Sequence, residues 1–275
     1  MVLSLLLAMQ LVVQDLNSNF EKLLIEVNRN RFDKALMQLF PVQQVIREKT
    51  GGKYPTLDAG MRARMREMDN TGAVLSTVAL LKSQMDTNSF EEASVQAMLI
   101  GMGLSGLWGQ VPAYQKLNFA KQDVEEAKPE MKELEMRKLG YAAVEAREWD
   151  TAKKTASDLL KSSLQKDYRG IDPGAQQHSA LTIRGLAELR QGDLSSAEKS
   201  LVESMRVKGE MQMRSGGPSF RLAKELLAKG SKQAVDQFLV LVGDSVWKDS
   251  SKAAVWRKEL AAGRDLDFGS AAYTY

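Results

Sequence analysis

No part of this chain alternates β-branched and polar residues as a half-buried strand would. Apolar positions fall instead in runs punctuated by Asn, Asp, Gly and Pro, the layout of helices joined by short turns. Residues 17–52 predict a helical hairpin. Asn17 or Ser18 can cap its first helix, with Glu21 placed for a capping box. A break falls at 28–30, and a second helix from about Arg31 should kink or end at Pro41, before Gly51 and Gly52 stop it. Thr56 or Asp58 can cap helical material over 61–85, interrupted near 70–72. Asn88 or Ser89 caps a further helix, Glu91 and Glu92 favour its first turn, and Pro112 closes it after a Gly-rich half.

The pattern becomes regular from about Val124. One helix is expected to reach 146, its start delayed to about Lys128 by Pro129, and a partner covers 149–165. The Asp, Gly and Pro of "DYRGIDPG" are turn chemistry and make 165–175 a connector. Helices at 175–190 and 194–207 form a second hairpin, and those at 219–229 and 231–242, divided by Gly230, a third. A last helix covers about 251–262. The expected division is an apolar segment at 1–14, an irregular helical region at 15–120, and a repeat region with a C-terminal helix and tail at 121–275.

Two stretches superimpose at a fixed offset of 45 positions: Gly140 falls on Gly185, Trp149 on Leu194 and Ala152 on Ala197. Small residues in a first helix let a second approach closely, Ala in the second lies against the gap, and a bulky residue after the turn plugs the end. One such hairpin cannot bury its apolar face alone, so neighbours must stack. At these positions the chain resembles tetratricopeptide repeats. Leu139, Gly140, Trp149 and Ala152 match in one copy, and Gly185, Gly192, Asp193, Leu194, Ala197 and Leu201 in the next. "RNRFDKAL" repeats the turn through Phe32 and Ala35 with Leu23 in place of the first Gly, and 222–238 has Gly230 and a displaced Ala234. The copy spacing exceeds that family's usual period, so the connector at 165–175 must hold an insertion.

The resemblance implies an all-α, right-handed array of antiparallel helical hairpins. It also implies a groove for a protein or peptide, lined by first-helix residues: Tyr141, Val144, Glu145, Leu186, Leu189 and Arg190. The C-terminal segment, "LAKELLAKG" onward through the two tryptophans to "AAGRDLDFG", is similar to one in uncharacterised bacterial proteins predicted to be exported. That similarity implies a bacterial source and export, and transfers no catalytic residue.

Composition changes this picture little. Of 275 residues, 44% are hydrophobic and 27% charged, as in an ordinary folded chain. The net charge of +3 gives no reason to expect a nucleic-acid partner, which calls for a clustered basic stripe. The nearest approach to one, Arg206 to Lys232, reads as a solvated helix face plus a loop. No Cys is present, so disulfide and thiolate chemistry are excluded. Residues 1–14 carry no charge and are too short to span a bilayer as a helix. They suit the apolar core of a secretory signal, a buried first helix or an anchor, and membrane contact is expected through them alone.

Candidate chemistry is sparse. "GMGLSG" at 101–106 satisfies G-x-G-x-x-G but follows a helical stretch, with no β-α-β unit around it, so close helix packing explains its glycines better. His178, the sole histidine, sits in what reads as a connector with a surface or capping role. Glu125–Glu126 and Glu133–Glu135 read as solvated faces. Met205, Met211 and Met213 bracket a Gly-rich loop, and Trp108, Trp247 and Trp256 read as hairpin plugs. No catalytic, cofactor or metal residues are expected. The expected function is a non-enzymatic binding scaffold, periplasmic or exported. The alternatives are a cytoplasmic location, a hydrolase with its site in 54–120, and a purely structural subunit.

Overall fold

The computed structural model describes residues 16–53, 55, 58–164, 172–207, 217–245 and 247–269. The apolar segment 1–14, Thr56, the connector at 165–171, Met211 and Met213 lie outside the described residues. Every regular element among those described is a helix, and none of them is long and apolar enough to cross a membrane. The chain divides into two compact units after Pro112. That boundary falls earlier than residue 120 because the helix following Pro112 packs on the next one along the chain.

The first unit contains α1 (16–28), α2 (Phe32–Lys49), α3 (Ala59–Glu67), α4 (Thr71–Asp86) and α5 (Phe90–Gln110). Asp58 and Asn70 cap α3 and α4 by accepting the backbone N–H groups of Met61 and Ala73, as their short polar side chains allow. Helix α5 is the hub, with α2, α3 and α4 all packed on it. Pro41 lies inside α2 and does not end it. The carbonyl one turn back that loses its partner belongs to Met37, which is largely solvent-exposed, so water can replace the missing bond. Of the α5 glycines, Gly103 serves close packing, since a Cβ there would stand 3.0 Å from Met68 Cβ. Gly106 and Gly109 face open space.

The second unit runs through α6 (Ala113–Glu126), α7 (Lys132–Glu145), α8 (Trp149–Ser163), α9 (Pro173–Arg190), α10 (Leu194–Ser204), α11 (Arg221–Leu227), α12 (Lys232–Gly243) and α13 (Lys252–Ala261). Helix α6 is not apparent in the sequence pattern, which merges its residues into the helix before Pro112 and the one after Val124. His178, expected in a connector, stands within α9.

One turn recurs between successive helices. Asn30, Arg147, Gly192 and Gly230 all have positive φ, at 56°, 61°, 92° and 85°. In each turn the following residue donates its N–H back across the helix end: Arg31 to Glu26, Glu148 to Ala143, Asp193 to Glu188 and Ser231 to Leu226. This is the left-handed helix stop that Gly and Asn adopt cheaply. Arg147 occupies the place of Gly192 one repeat earlier and carries the steric cost of its Cβ. Arg147→Gly is expected to raise stability by about 1 kcal/mol, read as a higher urea midpoint at unchanged slope; a lower midpoint would contradict the strain assignment.

The small residues of the repeat are buried where helices meet. A Cβ on Gly140 of α7 would stand 2.6 Å from Ile183 of α9. One on Gly185 of α9 would stand 2.4 Å from Leu222 of α11 and 2.9 Å from Ser200 of α10. The glycines therefore admit the first helix of the following hairpin, and at Gly140 this replaces the expected contact within its own hairpin. Ala152 and Ala197 are fully buried. Trp149 packs against the core, but Leu194 at the matching place is 38% exposed and plugs nothing. Ala152→Trp and Ala197→Trp should each destabilise the unit by about 1–3 kcal/mol through overpacking. Melting temperatures equal to wild type in both would contradict the packing just described.

Candidate functional site

The six residues expected to line a groove separate into two groups. Tyr141, Val144, Leu186 and Leu189 are buried in the core of the second unit. Their helical spacing puts them on the inward side of α7 and α9, and their apolar surface holds them there. Glu145 and Arg190, one position further along each helix, reach the surface and meet.

They belong to a ring of four charges on three helices. Arg190 Nη2 and Nε donate to the two carboxylate oxygens of Glu225 at 2.8 and 3.1 Å. Arg190 Nη1 donates to Glu145 Oε1 and to the Val144 carbonyl, both at 3.4 Å. Arg221 donates to Glu145, lies 3.7 Å from Glu225, and sets its guanidinium carbon 5.9 Å from the centre of the Tyr141 ring. The ends of α7 and α9 and one face of α11 are thus joined by alternating charges. A two-pronged arginine contact is the strong form of such pairing. The hydrogen bonds to Glu225 foremost, with the negative charge of Glu145 adding, raise the Arg190 pKa further above its ordinary value. Arg221 and Glu225 were legible only as an i, i+4 pair on a helix.

His178 is buried, whereas a surface or capping place was expected. Its Nδ1 lies 3.0 Å from the Ser204 carbonyl, and the Ser219 N–H donates to its Nε2 at 2.8 Å. A carbonyl only accepts and an N–H only donates, so the ring is neutral with its proton on Nδ1. Burial pushes its pKa down from 6.5 to about 4; the Ser204 bond opposes this, and the positive charge of Arg137 adds to the drop. The imidazole pins α9 to the end of α10 and to the irregular segment entering α11. It is a structural clasp, with both ring nitrogens occupied. Close before it on α9, Gln176 is fully buried and its amide atoms have no hydrogen-bond partner among the described residues, a local cost to stability.

Elsewhere the polar groups are used structurally. Within 54–120, the buried polar side chain among the described residues is Gln96, whose Oε1 accepts from Arg64 at 2.8 Å. The glycines of "GMGLSG" lie inside α5. No group of three or more His, Asp or Glu placed to hold a metal ion occurs among the described residues. Trp247 and Trp256 join Phe220, Phe238 and Phe268 in an aromatic cluster where α11, α12 and α13 meet the C-terminal segment. No family model matches the chain, and no curated protein or solved structure matches it.

Proposed function

We propose that the protein is a non-enzymatic scaffold of tetratricopeptide type, a right-handed array of hairpins whose first helices present a binding face to a protein or peptide. The observation that carries this reading is the direct contact of α7 with α9 and of α9 with α11, made through Gly140 and Gly185. Three successive first helices lie side by side, which is the arrangement a continuous docking face needs. Because Tyr141, Val144, Leu186 and Leu189 are committed to the core, Glu145 and Arg190, with Arg221 and Glu225, are the groups left to meet a partner. The apolar run at 1–14 and the resemblance of the C-terminal segment to exported bacterial proteins support a place in the cell envelope.

Affinity capture with the immobilised full chain tests this function. A partner held reproducibly by the wild type and released by the double variant Arg190→Ala, Arg221→Ala, with helical circular dichroism preserved, supports the face. Equal retention by both proteins removes it.

A further inference from the structure

The first unit carries an apolar groove of about 360 Å3 between α1 and α4. Phe20 and Leu24 of α1 line it together with Val78 and Ala79 of α4, and Lys82 and Asp86 of α4 complete its charged part. We propose that residues 1–14 of the same chain occupy this groove, so that the first unit holds its own apolar N-terminal segment.

The groove calls for an uncharged occupant. Its two charged side chains, Lys82 and Asp86, pair with each other at 3.0 Å. At its end the Thr87 hydroxyl donates back to the Ser83 carbonyl at 3.1 Å. No charge on the lining is left to attract a charged ligand, and the rest of the lining is largely hydrocarbon. Helix α4 has the same character outside the groove. From Thr71 to Leu81 it carries no charge, yet Ala79 and Leu80 lie on its exposed side, Leu80 with 45% of its surface in water. A surface helix ordinarily turns charged residues outward. An uncharged outer face beside an apolar groove suits a cover that spans both.

The chain itself supplies that cover. Of residues 1–14, eleven are hydrophobic, Ser4, Gln10 and Gln14 are polar, and the first charged side chain comes after them at Asp15. Such a run is driven out of water. Connectivity puts it beside the groove, because it joins α1 at Leu16, one helical turn or about 6 Å from Phe20. Its length suffices. The groove follows α4 from Val78 to Thr87, about 14 Å of helix, and the 14 residues span about 21 Å even when coiled as a helix. Asp is a favoured N-cap, so α1 can start at Asp15 and leave the chain before it free to turn back. A tethered segment also meets its groove at an effective concentration that a separate peptide does not match. The docking concerns the chain that retains residues 1–14, and it does not involve the binding face of the second unit.

Hydrogen exchange of the full chain, read by mass spectrometry at two protein concentrations, tests this. In the wild type, the amides of residues 1–14 should exchange roughly tenfold more slowly, or slower still, than in Ala79→Arg, which sets a long charged side chain in the groove at an exposed helical site. Leu6→Lys combined with Leu7→Lys charges the segment instead and should lose the same protection. Helices α2 and α5 should keep their wild-type protection in both variants, which shows that the fold persists. Fast exchange of residues 1–14 in the wild type, or protection unchanged in Ala79→Arg, overturns the proposal. Protection that rises with protein concentration assigns the groove to the segment of a second copy, and protection gained only on adding phosphatidylglycerol vesicles assigns the segment to a membrane; either result overturns it as well.

Discussion

Phe220→Ala is expected to lower the unfolding free energy of the second unit by about 3–5 kcal/mol, the usual cost of emptying a buried aromatic site. Phe220 is fully buried and lies at the centre of four other rings. Its ring centre lies 4.9 Å from both Trp256 and Phe268, 5.4 Å from Phe238 and 5.8 Å from Trp247. The contacts to Phe238 and Trp256 are edge-on, at 86° and 65°, the geometry aromatic quadrupoles favour. The cluster ties three helices and the C-terminal segment together, so the cavity cannot close by moving one side chain. Urea unfolding followed by tryptophan fluorescence is the direct measurement, because two of the surrounding rings are indoles. Val255→Ala, at a site 61% exposed on α13, is the control and should shift the midpoint little. Equal effects of the two substitutions would show that the rings do not share a core.

The second large effect is a dependence on pH carried by His178. Its folded pKa lies near 4, below its ordinary 6.5. The folded state therefore refuses a proton that the unfolded chain accepts. Stability from this group is complete above pH 6.5, falls as the pH drops from there, and levels off below about 4. The loss over that window is about 3 kcal/mol, because each tenfold difference in proton affinity between the folded and unfolded chain is worth about 1.4 kcal/mol. Structurally, a proton on Nε2 would face the Ser219 N–H donor to donor, near the charge of Arg137. Carboxylates also titrate at the acid end, so the measured quantity is the difference between wild type and His178→Gln. Between roughly pH 7 and pH 4 the wild type should lose about 3 kcal/mol more than the variant. Parallel pH profiles would show that the buried ring does not titrate as described.

Much of the helical layout could be read from residue order. Asp58, Asn70 and Asp193 are caps by their chemistry, and Gly192 and Gly230 are helix stops. The pattern misleads where a local rule has an unseen exception. Pro41 was expected to kink or end a helix; it does not end it and lies within one on a solvent-facing turn. The segment after Pro112 blends into its neighbours, so α6 went unrecognised. Arg147 takes a backbone conformation that nothing in its side chain announces.

The candidate site was harder to read. Glu145 and Arg190 were found because the repeat pairs them at the end of each first helix. Tyr141, Val144, Leu186 and Leu189 share the same helices, and which side faces the core depends on what packs there. The arrival of Ile183 against Gly140 and of Leu222 against Gly185 settles that question.

Residue order thus sufficed for most of the helices and for their glycine stops, because these rest on hydrogen bonds and steric preferences spanning a few positions. Three-dimensional packing alone revealed the ring of four charges and the neutral histidine clasp. The ring joins residues 35 and 76 positions apart, and the histidine reaches 41 positions to Ser219. Contacts of that range, and the loss of water around His178, exist only once the hairpins have stacked.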